Sequence, residues 1–512
     1  MDTEAKKTSI NRTQAVALGA AGLAVIVAIV LGVAMSGSSS DAKKLQANTD
    51  FGFPNGDAAN TRFAGGAIRA SSVGNLKLAW TVPASVYKSG SYASSPIVID
   101  DVVYSQDLAS DVQAIDLETG KLLWESSYSS VSSGPNGIFV AGGRIYGATT
   151  THAFALDRES GKEIWATELT RSSAEKVDMA PGFHNGLVYV STRATLSEGG
   201  GVGTLWALDG KTGKKVWSFN TVPKGLWGNP KVNSGGGLSY TPAFDDDGSM
   251  YVGVEGPGPT PGTKQYPWGT SRPGPNLYTN SIVKLDAETG KRLWHYQLTP
   301  HSVCNWGLQG PAILIKTGHK DLVIAAGTAG IVIALDQRTG KLVWKRPVGR
   351  HNGHENDGRY AMRGEYSRLK TPLVAYPGAL GGVAAAPSTN GSAIFVPVVN
   401  YGTALLNQTS GALVGSAGGE LVALDTATGA ILWKRSFPAG GYAATTTVND
   451  VVISAFGPRI YAFASDDGDE LWSASLPASV KGGVTASEDM LIVPASFEGT
   501  PGIAAYRLSS TQ

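Results

Sequence analysis

One phrase recurs down this chain and constrains its fold more than anything else in it. An apolar run ends in Asp; Gly stands four residues on, and Trp four further. The copies are Asp116–Gly120–Trp124, Asp157–Gly161–Trp165, Asp209–Gly213–Trp217, Asp286–Gly290–Trp294, Asp336–Gly340–Trp344 and Asp425–Gly429–Trp433. Another keeps Gly468 and Trp472 but has Ala464 at the Asp position. The residues before Asp are apolar and often β-branched, as in a buried strand. Asp opens a turn by bonding its own backbone two residues on. Gly closes the turn, since it takes positive φ without steric cost. The segment that follows, Lys121-Leu-Leu-Trp124 in the first copy, alternates as a second strand. Each copy therefore predicts a hairpin whose Trp packs between neighbouring sheets. One four-stranded sheet cannot bury both faces alone, so the repeats must stack radially.

An eighth copy is split between the ends. Leu76-Lys-Leu-Ala-Trp80 has the Trp strand without a turn before it, and Gly502-Ile-Ala-Ala-Tyr-Arg507 has the preceding strand without a Trp strand after it. Joined, they close a ring and remove the sheet edges. The expected fold is all-β: an eight-bladed β-propeller of four-stranded antiparallel blades over residues 51–510. All-β architectures run long as single units, so 512 residues need no second domain.

The net charge is +1, which gives no bulk attraction to nucleic acid. The single cysteine, Cys304, excludes an internal disulfide and a cysteine metal cluster; it reads as a buried small hydrophobe. Ala15 to Met35 holds neither charge nor Pro. As helix it would measure about 31 Å, enough to cross the hydrocarbon core, and it is longer than the apolar part of a cleaved signal peptide. It predicts one transmembrane α-helix that stays as an anchor. Lys6, Lys7 and Arg12 precede it, which predicts a cytoplasmic segment 1–14. Residues 36–50 read as a flexible linker. The propeller is expected outside the cytoplasm, on a single-pass cell-membrane protein.

The Trp-to-Trp spacings are 44, 41, 52, 77, 50, 89 and 39 residues, against about 40–45 for a plain blade. Two blades therefore carry insertions, which usually decorate one face. The first holds Gly256-Pro-Gly-Pro-Thr-Pro-Gly262 and Tyr266-Pro-Trp268. The second, over residues 345–370, has seven Lys or Arg against three Asp or Glu. His351-x-x-His354-Glu355 has metal spacing for a helix, but Asn352 and Gly353 inside it favour a solvated loop. These two insertions are the expected contact surfaces for an envelope protein, a polymer or a small-molecule ligand.

The repeat, with Asn48-Thr-Asp-Phe-Gly-Phe-Pro-Asn-Gly-Asp-Ala-Ala-Asn-Thr-Arg62 and Val73-Gly-Asn-Leu-Lys-Leu-Ala-Trp80, resembles the quinoprotein alcohol dehydrogenases, most of all the polyvinyl alcohol dehydrogenase branch. The resemblance covers about residues 50–510 and implies an eight-bladed propeller that binds pyrroloquinoline quinone (PQQ) and calcium. The repeat is shared with non-catalytic relatives, including the bacterial outer-membrane assembly scaffold, so function must be read from the site.

By this resemblance Glu198, before Gly201-Val202-Gly203, stands where a calcium ligand is found. The Asn of a second ligand position is replaced by Gly256, with Glu255 beside it. The stretch that carries the general-base Asp reads His301-Ser302-Val-Cys-Asn305-Trp-Gly307-Leu-Gln309. Its three acidic positions hold Ser302, Asn305 and Gly307, and an amide cannot accept an alcohol proton as a carboxylate does. Thr328 stands near the place of a basic residue that contacts the quinone. Tyr240, after Gly235 to Gly237, replaces a Trp beneath the ring and can still stack. Glu198, Tyr240 and Thr328 are the candidate cofactor contacts, Glu198 and Glu255 the candidate metal ligands. His301 and Glu255 are the groups available as a base. No Cys-x-x-Cys-His run occurs for an attached haem. Two readings follow: a degenerate relative that binds a partner or ligand, or a PQQ- and calcium-dependent alcohol or sugar dehydrogenase with an atypical site.

Overall fold

The repeated Asp builds each hairpin through one short network. Asp116 Oδ1 accepts the Thr119 backbone N–H at 2.8 Å and the Thr119 hydroxyl at 2.5 Å. The same pair recurs at Asp157–Ser160, Asp209–Thr212, Asp286–Thr289, Asp336–Thr339 and Asp425–Thr428. The bond reaches three residues on as well as two: the backbone N–H groups of Glu118, Glu159, Lys211 and Glu288 also serve Asp116, Asp157, Asp209 and Asp286. Hydroxyl and amide donors favour the charged form, so Asp116, Asp157, Asp209, Asp286 and Asp336 are held below the usual carboxylate range.

The computed structural model describes residue 45 and residues 50–509, except 84–91, 196–198, 319, 416–417 and 498–499. The expected membrane span over Ala15 to Met35, the segment 1–14 and most of the linker 36–50 lie outside the described residues. Among the described residues no helix is long and apolar enough to cross a membrane. Residues 42–512 form one unit, an all-β, propeller-like stack of four-stranded antiparallel sheets. The first complete sheet runs Ile97–Ile99, Val102–Gln106, Val112–Asp116, Leu122–Ser126 in order.

The edge strand that carries each Trp is bulged. Ala114 pairs with Trp124, but Ile115 pairs with Leu122, so Leu123 is left over. The same slip leaves Ile164, Val216, Leu293, Val343 and Leu432 as the extra residue in five other hairpins. A bulge of this kind re-aims the side chains beyond it. Simple alternation along this strand is therefore replaced by two consecutive exposed residues, Leu122 and Leu123, before the Trp turns in.

Each Trp then docks on the next sheet. Trp80 Nε1 donates to Leu117 O, Trp124 to Arg158 O, Trp165 to Gly210 O and Trp217 to Ala287 O, at 2.9–3.2 Å. Trp294, Trp344 and Trp433 repeat the bond to Gln337, Thr426 and Ser465. The indole lies over the repeat Gly of that neighbour. A Cβ on Gly120, Gly161, Gly213 or Gly290 would stand 2.5–2.7 Å from the preceding Trp ring. Gly is thus needed twice, for its positive φ and for this approach.

The ends close as the split copy predicts. Leu76–Pro83 pairs antiparallel with Thr500–Leu508, Trp80 opposite Ala505 and Pro83 opposite Gly502, in a sheet completed by Met490–Phe497 and Thr485–Ser487. Phe63–Ala64 adds a parallel strand to Thr446–Val448. Beside it Arg62, 0% exposed, ties distant segments together. It donates to Thr445 O, Pro54 O, Ser95 Oγ, Thr446 Oγ1 and Val484 O at 2.6–3.2 Å, and to Asn55 Oδ1 at 3.5 Å.

The two insertions pack on each other instead of standing apart as surface loops. Trp268, Trp306, Ala361, Leu369, Ala375 and Leu405 share one apolar cluster, and Trp268 is 2% exposed. Arg272 of the first insertion is also fully buried and donates to Ser302 O at 2.7 Å. His351 and His354 face Glu355 and Asp357 at 2.6 and 2.9 Å, and the short helix Asp357–Met362 starts after them.

Candidate functional site

Loops leaving several sheets converge on a cavity of about 200 Å³. Glu255, Asn305, Gln309 and Thr328 line it, with Arg193 and Tyr442. Glu255 follows the strand Ser249–Gly253 and accepts a hydrogen bond from the Ser239 hydroxyl. Thr328 is tied to Gly307 both ways: its Oγ1 accepts the Gly307 N–H, and its own N–H donates to Gly307 O, each at 3.1 Å. This pairing fixes the loop that carries Asn305 and Gln309. Arg193 is held by Asp178 at 2.7 Å, and Lys176 reaches the same carboxylate at 2.8 Å. Both cations keep the Asp178 carboxyl below its usual range against the burial that raises it.

Tyr240 stands one step away, in a cavity of about 30 Å³ lined also by Asn55, Ser95 and Lys481. Its hydroxyl donates to Ala384 O at 3.3 Å. Burial pushes its phenol up to about 12, opposed by the nearby Arg62 guanidinium. Ser239, which lines this smaller cavity, donates to Glu255 on the larger one.

His301 and Ser302 lie elsewhere, under the packed insertions. His301 is fully buried, with Nδ1 3.2 Å from Gly274 O and Nε2 2.9 Å from Trp268 O. Burial and the neighbouring Arg272 push its pKa down to about 4. Both ring nitrogens being turned to the backbone, it does not reach the cavity. Ser302 Oγ accepts the Trp306 N–H at 2.8 Å. Glu198 lies outside the described residues. Cys304 is buried in the same apolar cluster, its thiol pushed up to about 12 by burial.

A Cβ built on Gly256 would stand 2.8 Å from Trp306 O and 3.1 Å from Asn305 Oδ1. No side chain fits there without moving that loop. Calcium takes six to eight oxygens, and among the described residues no group of three or more His, Cys, Asp or Glu is placed to hold a metal. A cavity of about 200 Å³ is also below the roughly 300–1,000 Å³ of drug-sized ligand sites. The described residues therefore do not fit a calcium–quinone pair.

Residue patterns gave no advance sign of Ser239, Arg193 or Gln309 as cavity residues. Ser239 immediately precedes Tyr240, and Gln309 ends the stretch beginning at His301; position beside a candidate was the only signal.

Fold and cavity define a β-propeller-like protein with a pocket of mixed polar and apolar lining. The family model described as the glucose/ethanol/alcohol dehydrogenase β-propeller domain matches residues 53–137 and 202–352. That of the outer membrane protein assembly factor BamB matches 108–242 and 408–491. The quinohemoprotein alcohol dehydrogenase of Comamonas testosteroni is 28% identical over 367 residues, covering 64% of this chain and 50% of its own. The dehydrogenase subunit of the quinone alcohol dehydrogenase of Gluconacetobacter polyoxogenes is 27% identical over 414 residues, covering 67% and 53%. The chain spans about half the length of these curated relatives. Among solved structures, quinohemoprotein alcohol dehydrogenase ADHIIG of Pseudomonas putida superposes with TM-score 0.79 at 20% identity, over 91% of this chain and 81% of that one. BamB of Moraxella catarrhalis gives 0.54 at 15%, over 85% and 99%. Two models of PQQ-repeat β-propellers thus match parts of the chain, and quinoprotein alcohol dehydrogenases are among the proteins it is similar to.

Proposed function

We propose that this chain is an eight-bladed, membrane-anchored binding protein, derived from the quinoprotein dehydrogenases, that holds a small ligand in its central cavity. The observation that carries this reading is the packing of Gly256 against Asn305 and Trp306, which fills the position of a calcium ligand with backbone. Among the described residues the cavity has one carboxylate, Glu255, and one cation, Arg193, among amides, hydroxyls and apolar side chains, a set suited to binding rather than to holding a metal and a quinone. The Ala15–Met35 span would fix the propeller on the outer face of the cell membrane. Protease added to intact cells should then remove the propeller; full protection would overturn that placement.

A second reading, a PQQ-dependent oxidoreductase, is favoured by the homologues that are quinone-linked alcohol dehydrogenases. One titration separates the two. PQQ is added to the full chain by calorimetry, with calcium and with chelator. The binding-protein reading expects no saturable heat up to millimolar PQQ. Tight, calcium-dependent, one-to-one binding would overturn it.

A further inference from the structure

Three side chains that carry oxygen acceptors, Glu255, Gln309 and Asn305, line the larger cavity. Glu255 forms no ion pair among the described residues, and its known partner is the Ser239 hydroxyl. Arg193, the cation on the same wall, is already held by Asp178. Gln309 Oε1 is buried and has no hydrogen-bond partner. It lies 3.0 Å, and the Glu255 carbonyl carbon 3.1 Å, from the point a Cβ on Gly307 would take. Asn305 Oδ1 lies 3.1 Å from the corresponding point on the adjacent Gly256. A buried acceptor without a donor is costly, so the site calls for a ligand that brings N–H or O–H groups. A carboxylate whose known partner is a neutral hydroxyl calls for positive charge. A primary ammonium supplies both, with three donors and no acceptor. Calcium would need twice as many oxygens as these three.

The other end of the ligand is set by the neighbouring cavity. Asn305 and Ala379 also line a second space of about 170 Å³, walled by Pro261, Val303, Leu405 and Leu413. Most exposed large apolar residues belong to the Trp-bearing edge strands and follow the repeat, such as Leu122, Ile164, Val216 and Leu293. Leu380, Leu406 and Leu413 do not. They are 50–53% exposed and lie in the second insertion, Leu380 on the first cavity and Leu413 on the second.

We propose that the two cavities together bind a primary alkylammonium ion, its head on Glu255, Gln309 and Asn305 and its aliphatic tail running past Ala379 to Leu405 and Leu413. This deepens the small-ligand reading above and rests on it.

The test is calorimetry on the full chain with n-hexylamine, methylamine, n-hexanol and n-hexanoate, the heat of each into detergent alone being subtracted. Hexylamine should bind one to one, at least tenfold tighter than hexanol or hexanoate and at least tenfold tighter than methylamine. Glu255→Gln, with an unchanged thermal midpoint, should weaken hexylamine at least tenfold and leave hexanol unaffected. Leu413→Ala should weaken hexylamine but not methylamine. Equal affinity for hexylamine and hexanol, or an unchanged Glu255→Gln, would overturn the ammonium while the small-ligand reading stands. No hexylamine binding would overturn the proposal outright. Calcium-dependent PQQ binding would instead sink the small-ligand reading itself.

Discussion

Arg62 is a fully buried charge whose acceptors among the described residues are all neutral. Burial lowers its pKa to about 10, so it remains charged at neutral pH. Six acceptors from four separate stretches of chain share its guanidinium. A planar fork can serve them; a shortened side chain cannot. Arg62→Ala should cost about 3 kcal/mol or more, since each buried acceptor left unpaired costs about 1–3 kcal/mol. A lower urea midpoint with an unchanged slope checks this. His301 gives a pH effect whose sign is fixed. Its pKa is about 4 in the folded chain and ordinarily 6.5. Between those values the unfolded chain takes up a proton that the folded chain refuses. This contribution is complete above pH 6.5 and is lost as pH falls toward 4, by about 3 kcal/mol. The drop in urea midpoint from pH 7 to pH 4.5 should be smaller in His301→Gln than in the parent chain. At this scale the sequence was only partly legible. Asp, Gly and Trp of the repeat announce themselves by spacing. Arg62 does not, because its partners are up to about 420 positions away along the chain. The same holds for Gln309, which acquires meaning only when its loop is brought to the cavity that Glu255 lines.

The hairpin is the element in which local chemistry and packing can be separated. Gly213 has φ +72° and a Cβ there would stand 2.6 Å from the Trp165 ring. Gly143 has φ +74° with nothing within 4 Å of the same point. Gly143→Ala therefore reports the backbone cost alone, about 1–2 kcal/mol. Gly213→Ala should exceed it by a further 1–3 kcal/mol or so, the usual cost of overpacking. Equal urea midpoints in the two variants would mean that the Trp does not rest on the turn. Hairpins and docking Trp residues were readable beforehand because both depend on contacts that recur at fixed spacing. The bulge was not. Its extra residue is Leu, Ile or Val, and such a residue reads as buried until the register shows it left over on the open face. The insertions were misread for a related reason. Their charge and Gly/Pro content suggest surface loops, whereas Trp268 shares an apolar cluster with Ala361 and Leu369, about a hundred residues further along the chain.

Closure is a property of the whole molecule, and it was legible because each end carries half of a repeat. Among the described residues Leu76–Pro83 pairs only with Thr500–Leu508, which in turn covers Met490–Phe497. A chain stopped at residue 499 would leave the first strand unpaired and the last sheet with an open edge. Trp80 would lose the sheet that holds it, and with it the bond to Leu117 O that joins that sheet to the next. The loss therefore spreads to both sides of the seam. Open edges also recruit other strands. Two consequences are expected of the truncated chain. Its urea unfolding should begin earlier and lose its single sharp transition, because repeats that contact only neighbours unfold piecemeal once unclosed. Its sedimentation should show self-association that the full chain lacks. A truncated chain that stays monomeric and unfolds in one transition at the parent midpoint would show that the ring is held by its docked Trp residues and Arg62 alone. The shared sheet would then be a consequence of closure and not its cause.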